Sequence, residues 1–358
     1  MSERILRLGF PVKVMGKPDL KSNDARRPAN NPHLKVSLEY IDRILDYCGR
    51  NDVGLYRMSS DIAPYATHPD MPQFHSMVRE SEAELAAVGA KAKALGIRLS
   101  FHPSQFIVLN SPDAGLVLRS VWDLSSQAEM LDLMGLGPEA VLVIHVGGVY
   151  GDVLASRERW ARTWETLPEP VRRRLVLEHD DLRFSAADTL WLHARTGVRL
   201  VFDHQHFWCL NPDGLDLRET VSRMLSTWPA GEVAKIHYSS PRTELREQRV
   251  VDRATGRKVL RPVAPVMTGH ADFINPFEFV MFLERVAGLD FDVMLEAKAK
   301  DLALFRLRED LRRYGGALAA RFGLSAAGRG ADRAASGEAG ADRAAADAGA
   351  TDATDAGA

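Results

Sequence analysis

Cysteine is nearly absent: Cys48 and Cys209 stand alone in 358 residues, with no CxxC pair. That scarcity excludes a disulfide framework and a thiolate zinc site, and it predicts a reduced, cytoplasmic setting. Long apolar runs are missing as well. No stretch approaches the ~20 residues needed to span a bilayer. The charged start MSERILRL has no signal-peptide core, so no membrane association is expected. A strong charge of either sign is also lacking, the formal net charge being −2, which excludes a histone-like polycation. The balance is uneven along the chain: Ser325–Ala358 holds six acids and three arginines, so the remainder carries +1.

What is present is a hydrophobic content of 46% with 26% charge, enough for a substantial core. The chain is organised around RRLVLE, where Leu175, Val176 and Leu177 read as a short strand, Arg174–Glu178, buried on both faces and ending in a carboxylate. The same event recurs. RLSF runs into His102, VLVI into His145, RLVF into Asp203, AKI into His237 and DVML into Glu296. Strands are expected at Ile5–Phe10, Val53–Met58, Arg98–Phe101, Val141–Val146, Arg174–Glu178, Arg199–Phe202, Val233–Ile236 and Asp292–Leu295. Between them, apolar spacing and glycine or proline stops predict helices over Val36–Arg50, Ser76–Leu95, Leu116–Met134, Arg157–Leu167, Ala186–Arg195, Leu215–Thr227 and Pro276–Val286, with Leu302–Arg321 closing the series.

Eight strands alternating with eight helices, from Arg4 to Gly323, predict a (β/α)₈ TIM barrel, with its active site at the carboxyl ends of the strands. Residues 1–324 are expected to form this domain. Residues 325–358, with GADRAA written twice and few apolar side chains larger than alanine, are expected to be a disordered Ala/Gly/Asp-rich tail. The connection from Tyr238 to Asn275 is unusually long and carries Arg242, Arg246, Arg249, Arg253, Arg257, Lys258 and Arg261.

The strand ends and their loops supply His68, His102, His145, Glu178, Asp203, His206, His237, His270 and Glu296. Imidazole with carboxylate suits zinc, manganese or iron. Nine donors exceed what one ion uses, whereas two or three ions sharing carboxylates would use them all, with Glu178 as the central bridge. Such a cluster suits phosphodiester hydrolysis, which needs a hydroxide at neutral pH and stabilisation of charge on phosphorus and on the departing oxygen. Gly147 and Gly148 fit either a phosphate approach or a tight turn. The basic first and seventh loops fit either backbone phosphates or a solvated surface. Gln105 and Phe106, beside His102, fit either a wedge in opened duplex or packing at the rim.

RLGFP, LYRMSSDIAPYATHP, RLSFHPSQF, HVGG, LVLEHDD, KIHYSS, HADFI and DVMLEAKAKDLA, in this order over nearly the whole barrel, resemble the ultraviolet damage endonuclease family. That family is similar in fold to the endonuclease IV group of abasic-site nucleases. The resemblance implies a cluster of manganese-like ions and incision of damaged double-stranded DNA on the 5′ side of a UV photoproduct, leaving a 3′-hydroxyl. It implies metal ligation by the nine donors, catalytic roles for Glu178, Glu296 and Lys235, and carboxylation of Lys235. Gln105 and Phe106 match the family's lesion-probing pair, and Phe10 an aromatic lining the site. Phenylalanine stands at both aromatic positions where the family pattern has tyrosine, keeping stacking and losing a hydroxyl. A monomer is expected. The rival functions are an abasic-site endonuclease, a metal-dependent sugar isomerase or epimerase, and a DNA-binding barrel without catalysis.

Overall fold

Eight strands of three or four residues, almost entirely buried, line the centre of the molecule; the computed structural model describes residues 4–325. In chain order these strands are β1 (Leu8–Pro11), β2 (Leu55–Arg57), β3 (Arg98–Ser100), β4 (Leu142–His145), β5 (Leu175–Glu178), β6 (Arg199–Val201), β7 (Lys235–Tyr238) and β10 (Asp292–Leu295), while β8 (Arg246–Val251) and β9 (Lys258–Val263) form a separate exposed pair. Hydrogen bonding runs β3-β2-β1-β10-β7 in one sheet and β4-β5-β6 in another, all parallel. Parallel bridges at Phe101–Leu142 and Asp203–His237 join the two sheets on both sides, so the eight strands close into the expected barrel. Leu, Val and Ile on these strands pack inward and outward, as strands covered on both faces require. Gly9 is needed in β1, because a Cβ there would sit 2.3 Å from the Leu55 carbonyl oxygen of β2.

The helices start and stop on local chemistry. Asp113, Asp152, Asp216 and Asn275 each cap the N–H groups of the helix that follows, and Ser185 with Asp188 forms a reciprocal capping box. Gly197 ends its helix at φ 75°. No helix among the described residues is long and apolar enough to cross a membrane.

Four expectations need correction. The helix expected over Ser76–Leu95 divides into Met77–Glu80 and Glu82–Ala94, because the buried Ser81 hydroxyl donates back to the Met77 carbonyl at 2.7 Å. The closing helix spans Asp301–Tyr314 and gives way to a 3₁₀ turn, Gly316–Phe322, at Gly315-Gly316. The segment after Asp203 is a short helix, His204–Cys209, which Asp203 caps. The Tyr238–Asn275 connection contains the antiparallel ribbon β8–β9. The tail lies outside the described residues except for Ser325.

Candidate metal centre at the barrel mouth

Because each short strand ends on a polar residue, the carboxyl rim of the barrel collects side chains that a core would exclude. Glu178, the last residue of β5, is the hub. Its Oε1 lies 2.9 Å from His237 Nδ1 and 3.4 Å from His206 Nδ1, and its Oε2 lies 3.2 Å from His102 Nε2 and 3.7 Å from His145 Nε2. Asp203 accepts the His206 N–H on Oδ1 at 2.7 Å, which fixes the two residues one turn apart at the head of the short helix. Glu296 directly follows β10, pairs with Arg57 through Oε1, and lies 3.4 Å from His237 Nδ1; His270 Nδ1 is 2.8 Å from the Glu296 carbonyl.

Eight of the nine predicted donors therefore meet at one mouth. His68 stands apart: its Nδ1 accepts the Asp70 N–H at 3.2 Å, its ring lies 6.3 Å from that of Tyr65, and no contact among the described residues ties it to the other eight.

Ligand atoms within 4.8 Å of one another define three overlapping groups: His102–His145–Glu178, His102–His237–Glu296, and Glu178–Asp203–His237–Glu296. Inside this cluster Asp203 Oδ2, His237 Nε2 and His145 Nδ1 are buried without a hydrogen-bond partner. Buried lone pairs without partners are costly, and a divalent ion is the partner this donor set fits. Electrostatics agree. Burial opposes charge on Glu178, yet His237 and His145 hold its carboxyl well below the usual range. Burial likewise opposes charge on Glu296, and Arg57 and His237 hold it down. Burial works against protonation of His206, but Asp203 and Glu178 push it up to about 11, whereas burial dominates at His145 and lowers it.

Lys235 is fully buried below this cluster, with Nζ 3.2 Å from Ser100 Oγ. Burial, with Arg98 and Arg57 nearby, draws it well below the ordinary lysine range, toward the neutral amine. A cavity of about 930 Å³ opens over His102, His145 and His206, and Gln105 lines it. Phe106 is 73% exposed on the same loop. Phe10 is different: it is wholly buried, edge-on to Tyr56 at 5.5 Å, so here it packs the barrel and presents no surface to a ligand. Gly147, at φ 116°, serves a tight turn, since a Cβ would meet Asn110 Oδ1 at 2.4 Å and Asn110 Nδ2 donates to the Gly148 carbonyl.

Two residues of the mouth escaped the sequence reading. Arg57 ends β2 and pairs with Glu296; its position at a strand terminus was the available signal. His179 follows Glu178, and its Nε2 accepts the Asp203 N–H at 3.0 Å, fixing the backbone of that acid.

A parallel barrel with buried acids and imidazoles gathered at its strand ends, in groups that could hold metal ions, is the architecture of a barrel enzyme. The sequence profile of the UV-endonuclease UvdE family matches residues 28–320, and the chain belongs to that family. The UV DNA damage endonuclease of Bacillus velezensis is 33% identical over 293 residues, covering 81% of this chain and 85% of its own length. That of Bacillus pumilus is 34% identical over 281 residues, covering 77% and 81% respectively. The crystal structure of SacUVDE superposes with a TM-score of 0.72 at 28% identity, over 86% of this chain and 98% of that one.

Proposed function

We propose that this chain is a metal-dependent DNA-repair endonuclease whose catalytic unit is residues 1–324, and that it incises the backbone of damaged duplex on the 5′ side of a UV photoproduct, leaving a 3′-hydroxyl. The observation that carries the proposal is the trio of overlapping donor groups at the mouth of a UvdE-family barrel. His102, His145, Glu178, Asp203, His206, His237, His270 and Glu296 would hold two or three divalent ions, manganese in our reading, and His68, which has no contact with these eight among the described residues, would be the ninth donor that the family resemblance implies. Bound there, such ions supply an activated water and neutralise charge at phosphorus and at the leaving oxygen.

The chain's own residues do the rest. Glu178 and Glu296 fix the imidazoles around them and bring the negative charge that holds cations in the mouth. Burial draws Lys235 toward the neutral amine, the form suited to carboxylation, which would convert it into another oxygen ligand. Gln105 and Phe106 stand where a wedge could fill the gap left by extruded bases, and the cavity beside them has room for those bases. A photoproduct is already partly unstacked, so extrusion costs less there than at normal pairs, and selectivity follows from deformability. The exposed ribbon β8–β9 carries six cations against two acids on the same rim and suits flanking phosphates. We place the enzyme in the cytoplasm as a monomer, in keeping with its two free cysteines.

The test is a manganese-dependent cleavage assay on duplexes carrying one defined photoproduct or one abasic site, with product ends mapped. A nick immediately 5′ of the photoproduct is expected, and it should disappear in chelator. Nicking undiminished by chelator, or confined to the abasic duplex, overturns the proposal.

A further inference from the structure

The motif EAKAKD contributes Glu296 to the mouth and leaves Lys300 without a role. Lys300 adopts φ 55° and ψ −119°, a region that a residue with a Cβ rarely enters and that glycine takes freely. Its neighbours on both sides hold it there. The N–H groups of Lys298 and Ala299 donate to the carbonyls of Ala271 and Asp272, each at 3.0 Å. Asp301, fully buried, accepts from the N–H groups of Met15 and Gly16 at 2.6 and 3.0 Å and from the Tyr47 hydroxyl at 2.8 Å. The acid next in sequence is thus committed to the first loop and leaves Lys300 uncompensated.

Strain of this kind persists where the surrounding structure over-determines it, and it clusters at functional sites. Burial bears most on Lys300 and lowers it to about 8; the charges acting on it are, in order, Arg57, Glu296, Lys298 and Lys13, and its ammonium makes no hydrogen bond or ion pair among the described residues. Glu296, the one acid in that group, already pairs with Arg57 and lies within 3.4 Å of His237 and 3.9 Å of His270. Four cations around one committed carboxylate leave net positive charge at the edge of the mouth, which an anion can neutralise.

We propose that Lys300, with Arg57, Lys298 and Lys13 around it, forms a phosphodiester-binding subsite beside Glu296. This subsite rests on the endonuclease reading and deepens it: Lys300 grips a backbone phosphate next to the one that is cut. A lysine suits this use because a single compact charge on a flexible stem can follow a phosphate that moves as the duplex opens.

The test compares full-length wild type with Lys300→Ala, Lys300→Arg and Lys300→Gly in three measurements: thermal midpoint, incision of a single-photoproduct duplex, and binding of undamaged duplex across a potassium chloride series. Glycine relieves the backbone strain, so Lys300→Gly is expected to melt above wild type. It and Lys300→Ala should lose incision by ~10- to 100-fold and lower the logarithmic salt slope of binding by about one, the loss of one phosphate contact. Lys300→Arg should keep most of the slope. Incision by Lys300→Gly within about twofold of wild type would show that the strained lysine serves only the chain path. An unchanged salt slope in Lys300→Ala would also overturn the subsite. Failure of the wild type to nick the photoproduct duplex, with the slope still reduced in Lys300→Ala, sinks the proposed reaction and leaves the subsite standing.

Discussion

The two ends of the barrel are both crowded with charge and treat it in opposite ways. At the amino end, Arg98 meets Asp292 at 3.0 Å, Arg4 meets the same acid at 3.1 Å, and Arg98 also donates to the carbonyls of Glu139 and Val233. At the carboxyl end, three buried acids and five imidazoles crowd within a few ångströms, with Arg57 as their one close guanidinium partner among the described residues. The difference lies in what is left over. The unpartnered atoms at the amino end are guanidinium nitrogens, Arg98 Nη2 and Arg4 Nη1, which bear hydrogens and cannot ligate a cation. Those at the carboxyl end include Asp203 Oδ2 and His237 Nε2, which carry lone pairs. Composition alone does not separate a structural charge network from a metal centre; the kind of unsatisfied atom does.

The largest contrast should come from the acids themselves. Glu178→Ala and Glu296→Ala are each expected to lower incision by ~10³-fold or more, the scale of losing a group that stabilises transition-state charge, while circular dichroism shows the fold retained. Retained nicking by both variants would erase the distinction between the two ends. Asp292→Ala should do the reverse. It strands Arg98 in the interior and is expected to cost about 3–5 kcal/mol in urea unfolding, with incision per folded molecule preserved. Next in size, the double change Gln105→Ala with Phe106→Ala should weaken cleavage of damaged duplex roughly tenfold, the value of one base-stacking contact, and leave bound metal unchanged by elemental analysis. An equal loss of metal would move those residues into the metal centre.

The smallest effect concerns pH. Burial lowers His179 to about 3 and His204 to about 4, so both are neutral in the folded chain, where His179 accepts the Asp203 N–H and His204 the Trp208 indole N–H. The unfolded chain binds their protons below about 6.5. The stability these neutral rings bring is therefore present above that value and is lost as pH falls toward 4. Thermal midpoints should drop over this window, and His179→Gln should flatten the profile; an unaltered profile would remove His179 from the account.

Much of the barrel could be read from the chain because short strands buried on both faces show as uninterrupted apolar runs. Asp292–Leu295 was placed to the residue, and the polar group ending each run marked the mouth. What stayed hidden depends on contacts between distant segments. Arg57 matters through Glu296, 239 positions away, and Lys300 through backbone that only the folded loops hold in place. The ribbon had a local sign that went unread: Asp252 accepts the N–H groups of Ala254 and Thr255, and Gly256 follows at φ 66°, a turn between two β-branched stretches. Phe10 shows the converse, since a matching residue type in a matching motif is buried here as core.

The ribbon is joined to the barrel by a narrow neck. Pro241 bridges His270, the Arg242 N–H donates to the Gly269 carbonyl at 2.7 Å, and the Ala271 N–H to that of Ser240 at 2.9 Å. His270 is thus located by the neck itself, below the first residue of β8. Everything beyond that clasp can lengthen, shorten or change its charge with no displacement of the imidazole, so the fold lets substrate reach evolve independently of its chemistry.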